Sequence, residues 1–157
     1  MNEALSRRLS QPQFADPTQE ALLSLLVAAH TLNDLMDELC EMHRITRPQY
    51  NVLRILRGTH PGGHARCEIA RRMIDRAPDV TRLVDRLQAR GLVRRSRGND
   101  DRRQVLASIT AKGLKLLARM QPEIDAAAGA HLRRLNEQDC HELSRLCGMI
   151  LEPDLAE

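Results

Sequence analysis

Five arginines, Arg94, Arg95, Arg97, Arg102 and Arg103, stand around a turn that reads Gly-Asn-Asp-Asp from Gly98 to Asp101. Just upstream, Arg82, Arg86 and Arg90 recur through a segment that also holds Pro78, Asp79, Thr81 and Asp85. A guanidinium is planar, permanently charged and forked, so it suits bidentate contacts to phosphates and other anions. A turn needs only its Gly, Asn and Asp. The arginines on both sides of it call for a polyanionic partner. Chemistry of other kinds is not signalled: the chain has no Gly-rich phosphate loop, nucleophile elbow, HExxH motif or pair of acids in an apolar segment. An enzyme is therefore not expected.

The distribution of charge supports this reading. The chain of 157 residues has a net charge of only +3. Residues 66–104 hold 12 Arg against 6 Asp or Glu, whereas the rest of the chain holds 12 bases against 15 acids. Positive charge concentrated in one central block is the footprint of a polyanion-binding face. Phe14 and Tyr50 are the only aromatics, which removes the stacking platforms used by single-strand and RNA binders. A membrane-spanning helix needs about 20 apolar residues, and no such run occurs in this chain, in which 29% of residues are charged. The first residues, "MNEALSRRLSQPQFADP", lack the apolar stretch of a secretory signal, so a cytoplasmic protein is expected. Cys40, Cys67, Cys140 and Cys147 form no CxxC pair and are expected as reduced thiols, the last two as small core residues of a helix. His30, Glu41, His43, His60 and His64 show no metal-ligand spacing, and no metal is expected.

The elements that must position the arginines follow from periodicity. Residues 1–17 are polar and read as a flexible arm. From Thr18 to His43, apolar residues at helical spacing predict a long amphipathic helix. Thr46 and Pro48 open a second helix through "QYNVLRIL". "GTHPGGH" reads as a loop, and "ARCEIARRM" as a short helix with Ile69 and Met73 inward. Between Pro78 and Gly91, the spacing of Val80, Leu83, Val84 and Leu87 marks one buried face and sends Asp79, Thr81, Arg82, Asp85, Arg86 and Arg90 outward. After Gly91 the period falls to two on both sides of the turn, predicting a β-hairpin. Thr110 then caps a helix to about Ala128, with Pro122 inside it, and a last helix covers Glu137 to Leu151. The fold class expected is mainly α, with a winged helix-turn-helix over 45–110. The segments 18–44 and 111–157 carry more apolar surface than so small a domain covers, and are expected to bury it against a second copy of the chain.

The segments "ITRPQYNVLRIL", "EIARRM", "VTRLVDRLQARGLVRR", "DDRRQV" and "ITAKG" follow one another in an order that resembles the MarR (multiple antibiotic resistance regulator) family of bacterial transcription factors. The likeness runs from about Ile45 to Gly113, and the hairpin pattern is its most specific part. It implies a homodimer that binds inverted repeats in double-stranded DNA, usually as a repressor released by a small molecule or an oxidant. It also implies that Asp101 steadies the tip of the wing and that Arg103 enters a minor groove, with Arg95, Arg97 and Arg102 at phosphates. For the recognition helix, Pro78, Asp79, Thr81, Arg82, Asp85 and Arg86 are the expected DNA-binding set, with Arg able to fork onto guanine and Thr to meet a phosphate or a thymine methyl. Asp79 could accept from a cytosine or simply favour the helix N-terminus.

Three readings remain beside one another at this stage: a DNA-binding regulator, a regulator that senses oxidants through a cysteine, and a helical protein-interaction module that keeps the fold without binding DNA. The resemblance places a peroxide-sensing cysteine early in the first helix, whereas Cys40 lies near that helix's end. Zinc-sensing members use acids and histidines where this chain has Tyr50, Asn51 and "KGLKLLARM". No cofactor is expected; the resemblance suggests a small aromatic or phenolic effector in the cleft between the long helices and the winged domain.

Overall fold

A computed structural model of the chain describes residues 2–75, 79–97 and 105–151. The element order is α1 (Glu3–Leu9), α2 (Pro17–Met42), α3 (Arg47–Arg57), β1 (His64–Ala65), α4 (Arg66–Arg72), α5 (Val80–Ala89), β2 (Val93–Arg97), β3 (Val105–Ile109), α6 (Ala111–Leu132) and α7 (Glu137–Leu151). These residues group into two compact units, one ending at Ile124 and the other beginning at Asp125.

Helix starts follow local chemistry. Asp16 caps α2 by accepting from the Gln19 amide, with Pro17 in the first turn. Thr46 and Gln49 form a reciprocal capping box at α3, again with a proline, Pro48, in the first turn. Asp79 caps α5, and Thr110 Oγ1 accepts from the Gly113 amide at 3.1 Å to open α6. Each such cap satisfies an amide that the helix itself leaves unpaired, worth about 1 kcal/mol.

α3 is the centre of the first unit. Tyr50, Val52, Leu53 and Leu56 are all buried, and the core continues through Ile69 of α4, Val80, Val84 and Leu87 of α5, Val93, Ala107 and Ile109 of the sheet, and Leu116, Leu117 and Met120 of α6. Gly91 turns the chain out of α5 with φ +69°, a conformation that costs other residues energy. Gly113 is required for a different reason: a Cβ there would lie 2.5 Å from the Leu92 carbonyl oxygen and 2.7 Å from Ile109 Cγ1. The first turn of α6 can therefore seat directly against Leu92, just before β2, and Ile109, at the end of β3.

Three differences from the sequence reading have physical causes. The expected arm contains α1: Asn2 caps it, Leu5 is buried, and Asn2 Nδ2 donates to Ser24 Oγ of α2 at 3.3 Å. A single apolar anchor in a polar stretch escapes periodicity. The loop before α4 ends in β1, which pairs antiparallel with β3 and gives the sheet order β1-β3-β2. Two residues are too short to show alternation. Finally, Cys140 is exposed and Cys147 half-buried, because α7 buries no residue within its own chain. The core role expected of both is not met there.

Candidate nucleic-acid interface

The segment from Asp79 to Arg97 builds the site. Val80, Val84 and Leu87 anchor α5 in the core, with Leu83 partly buried beside them. The other side of the helix then exposes Thr81, Arg82, Asp85 and Arg86. This division is the one its spacing predicts. Asp79 is occupied by the helix start: Oδ1 accepts from the Arg82 amide at 3.0 Å and Oδ2 pairs with Arg82 Nε at 3.0 Å. Of the two roles open to it in the sequence, the capping role is the one its geometry displays.

The hairpin register sets the second half of the surface. Val93 pairs with Ile109, Arg95 with Ala107 and Arg97 with Val105, so these side chains share the face of the sheet that continues the core. Arg94, Ser96, Leu106 and Ser108 share the other face, where Arg94 Nε donates to Ser108 Oγ at 3.1 Å. Arg95 reaches across to α5: its Nη1 lies 2.6 Å from Asp85 Oδ1. The helix and the ribbon are thus tied by an ion pair between an outward residue of the helix and an arginine of the wing. Arg97 is exposed at the end of β2, further along the ribbon.

Between the helix and the ribbon lies a cavity of about 420 Å³, lined by Arg66, Ile69, Thr81, Val84, Arg95, Val105 and Ala107. Arg66 had not been singled out in the sequence, although it opens the basic block. β1 leads straight into it, and pairing of β1 with β3 brings it beside the ribbon. Arg90, outward in the sequence reading, is half-buried and donates to the carbonyls of His43 and Arg44. Pro78, Asp101, Arg102 and Arg103 lie outside the described residues. The structure therefore gathers Asp79, Thr81, Arg82, Asp85, Arg86, Arg95 and Arg97 on the α5–β2 surface.

The four cysteines differ in environment. Cys40 is fully buried, and burial pushes its thiol up to about 11, with Asp37 adding to the effect and Arg47 opposing it. A thiol so protonated is a poor nucleophile. Cys67 is exposed. Glu68 is held below the usual carboxylate range, first by its hydrogen bond from Arg72. The neighbouring His64 is lowered by burial and by the charge of Arg72.

Comparison with known proteins agrees with this architecture. The profile of the MarR family matches residues 45–105. The chain is 35% identical to the HTH-type transcriptional regulator TtmR of Methylorubrum extorquens over 109 residues, covering 69% of this chain and 54% of TtmR. It thus spans about half the length of that relative. A MarR transcription factor from Planctomyces limnophilus is 39% identical in its crystal structure, with coverage of 87% of this chain and 99% of that one and a TM-score of 0.66. The repressor CouR, solved on a 23-mer DNA duplex, is 26% identical, with 83% and 91% coverage and a TM-score of 0.71. These relatives are regulators of transcription, not enzymes. With a helix-turn-helix, a basic wing and a close relative aligned over nearly its whole length, the chain belongs to the MarR family of DNA-binding transcription regulators.

Proposed function

We propose that two copies of this chain bind an inverted-repeat operator in double-stranded DNA and act as a repressor released by a small-molecule effector. The observation that carries this reading is the union of α5 and the β2–β3 ribbon into one basic surface, joined through Asp85 and Arg95. Thr81, Arg82 and Arg86 project from an α5 whose other side is buried, as an element must to enter a major groove. The ribbon extends beside it with Arg97 exposed, and its tip arginine, Arg103, is assigned to the minor groove. Asp101 steadies that tip, while Arg102, Arg97 and Arg95 serve phosphates. Pro78, outside the described residues, is assigned to the same DNA-binding set.

A second copy is needed to cover apolar surface. Leu143, Leu146 and Ile150 lie along one side of α7 at helical spacing, and all three are exposed. A stripe of that kind in a helix with no buried residue calls for a partner. Two-fold pairing then places the two reading helices about 10 base pairs apart on the duplex.

The effector is assigned to a cavity of about 210 Å³ lined by residues of α2, α3, the segment after α4 and the middle of α6, among them Asn33, Tyr50, Arg54 and Ile124. Arg47 crosses it, donating to Asn33 and pairing with Asp37 and Asp75. Asp75 lies just ahead of the segment that leads into α5, so a ligand that competes for Arg47 would disturb the approach to the reading helix. The solved relatives include CouR bound to p-coumaroyl-CoA and BpsR regulated by 6-hydroxynicotinic acid, which fits a small aromatic effector as the class to test. An oxidant sensor at Cys40 is not favoured, since the thiol is buried and protonated.

The deciding experiment is a gel-shift titration with an inverted-repeat duplex and a scrambled duplex at two salt concentrations. Preference for the repeat and a steep loss of affinity with salt are expected, because each phosphate neutralised releases counterions. Binding that is absent, or insensitive to salt, would make the chain an interaction module.

A further inference from the structure

Away from the α5–β2 surface, four cations line one cavity of about 340 Å³: Arg90, Lys112, Lys115 and Arg119, with His43, Leu92 and Leu116 completing the wall. We propose that this cavity binds a polyvalent phosphate group, carried by a free phosphorylated metabolite with an apolar portion that lies against Leu92 and Leu116.

The first argument is uncompensated charge. On the rest of the surface, arginines commonly meet carboxylates: Arg82 with Asp79, Arg95 with Asp85, Arg71 and Arg72 with Glu68, Arg145 with Glu142. Around this cavity the partners are neutral. Arg90 donates to the carbonyls of Arg44 and His43, and Lys112 Nζ donates to the Arg90 carbonyl at 2.8 Å. Arg119 Nη2 lies 3.1 Å from His43 Nδ1. No carboxylate lines the cavity among the described residues. Glu123 is nearby, but it meets His43 from the other ring nitrogen, Nε2 to Oε2 at 2.6 Å. Since Arg can only donate, Nδ1 is the acceptor and Nε2 carries the proton given to Glu123. The field of four cations therefore remains available to a ligand.

The second argument is order. Three of the four cations are held in place by hydrogen bonds they donate to neighbouring elements: Arg90 and Arg119 to the end of α2, and Lys112 to the end of α5. Donors fixed in advance lose less rotamer freedom when an anion arrives. The third is size and lining. A volume of about 340 Å³ lies within the usual range for small-molecule sites, larger than one phosphate requires, and its apolar wall is not what a bare inorganic ion would need.

Duplex DNA is a poorer fit. Arg90 follows the last residue of α5, whereas the reading positions begin at its start. At 1.5 Å per residue the two ends are about 15 Å apart. The site is independent of the operator reading, and either can fail without the other.

The test is calorimetric titration of the full chain with inorganic pyrophosphate, ionic strength being held constant with sodium chloride. Saturable binding at one site per chain is expected. Lys115 is exposed and its side chain forms no hydrogen bond or ion pair among the described residues, so Lys115→Gln should melt like the parent while binding pyrophosphate about tenfold more weakly, as loss of one charged hydrogen bond implies. Arg119→Gln should weaken it as well, and Arg8→Gln, an exposed arginine elsewhere, should not. Absence of saturable binding in the parent overturns the proposal, as does equal weakening by Arg8→Gln or full binding by both cavity variants. A duplex arm separates the sources of phosphate. If Lys115→Gln reduces the salt dependence of operator binding, the cavity serves the DNA backbone and the proposal falls.

Discussion

Asp85 of α5 and Arg95 of β2 lie 2.6 Å apart, an ion pair that joins the two elements assigned to DNA. Both side chains are partly exposed, with Arg95 at 33% and Asp85 at 51%, so the pair acts more on orientation than on stability. Asp85→Ala is expected to change unfolding free energy by less than about 1 kcal/mol. It also removes a negative charge from a surface that faces phosphates. Affinity for random duplex should therefore rise, and preference for the operator should fall as Arg95 loses its fixed position. Competition gel shifts measure both; an unchanged preference would show that β2 alone holds Arg95.

Arg82 and Arg97 are assigned different tasks on the same surface. Replacing a residue that contacts a phosphate lowers the salt slope of log affinity by about 0.9. Arg97→Ala should show that signature uniformly across sequences. Arg82→Ala should in addition cost about 1–3 kcal/mol of discrimination if its guanidinium reads a base. Arg103→Ala is expected to weaken binding through the minor groove, visible as loss of A·T preference. Parent-like binding by all three variants would remove DNA from this surface.

The apolar side of α7 makes a prediction about assembly. Ile150 is 67% exposed within the chain. Ile150→Asp should leave the first unit folded but lower the sedimenting mass from two chains to one. Operator affinity should then drop at least tenfold, because a single half-site must bind alone. A variant that sediments like the parent would exclude this stripe from the interface.

The thiols should differ in reactivity and in their effect on stability. Cys67 should react with an aromatic disulfide reagent in the native protein at pH 8, and Cys40 only after unfolding. In the folded state Cys40 keeps its proton up to about 11, against an ordinary value of 9.0. Between those values the folded chain holds a proton that the unfolded chain has lost. The stability Cys40 contributes is therefore full below 9 and is lost as pH rises toward 11. Chemical denaturation of Cys40→Ala and parent across that range should show the parent's advantage shrinking; a constant difference would contradict the shift.

Much of this architecture is written in local sequence. Asp79 bonds an amide three residues on, as do Thr46 and Thr110, so these helix starts need no knowledge of the rest of the chain. The inward set Val80, Leu83, Val84 and Leu87 is likewise local, being a consequence of helical period, and it assigns Thr81, Arg82, Asp85 and Arg86 to the outside by subtraction. The arginine-flanked turn points to a polyanion for the same reason. What lay beyond the sequence are relationships between residues far apart along it. Periodicity turns Asp85 outward but gives it no partner; Arg95 takes it, because packing of β2 on α5 brings the strand within reach. Pairing of β1 with β3 recruits Arg66, and His43 meets Glu123 across 80 residues. Whether an arginine is neutralised or left to attract an anion depends on such meetings. Periodicity determines which way a side chain faces; only the folded chain decides what it faces.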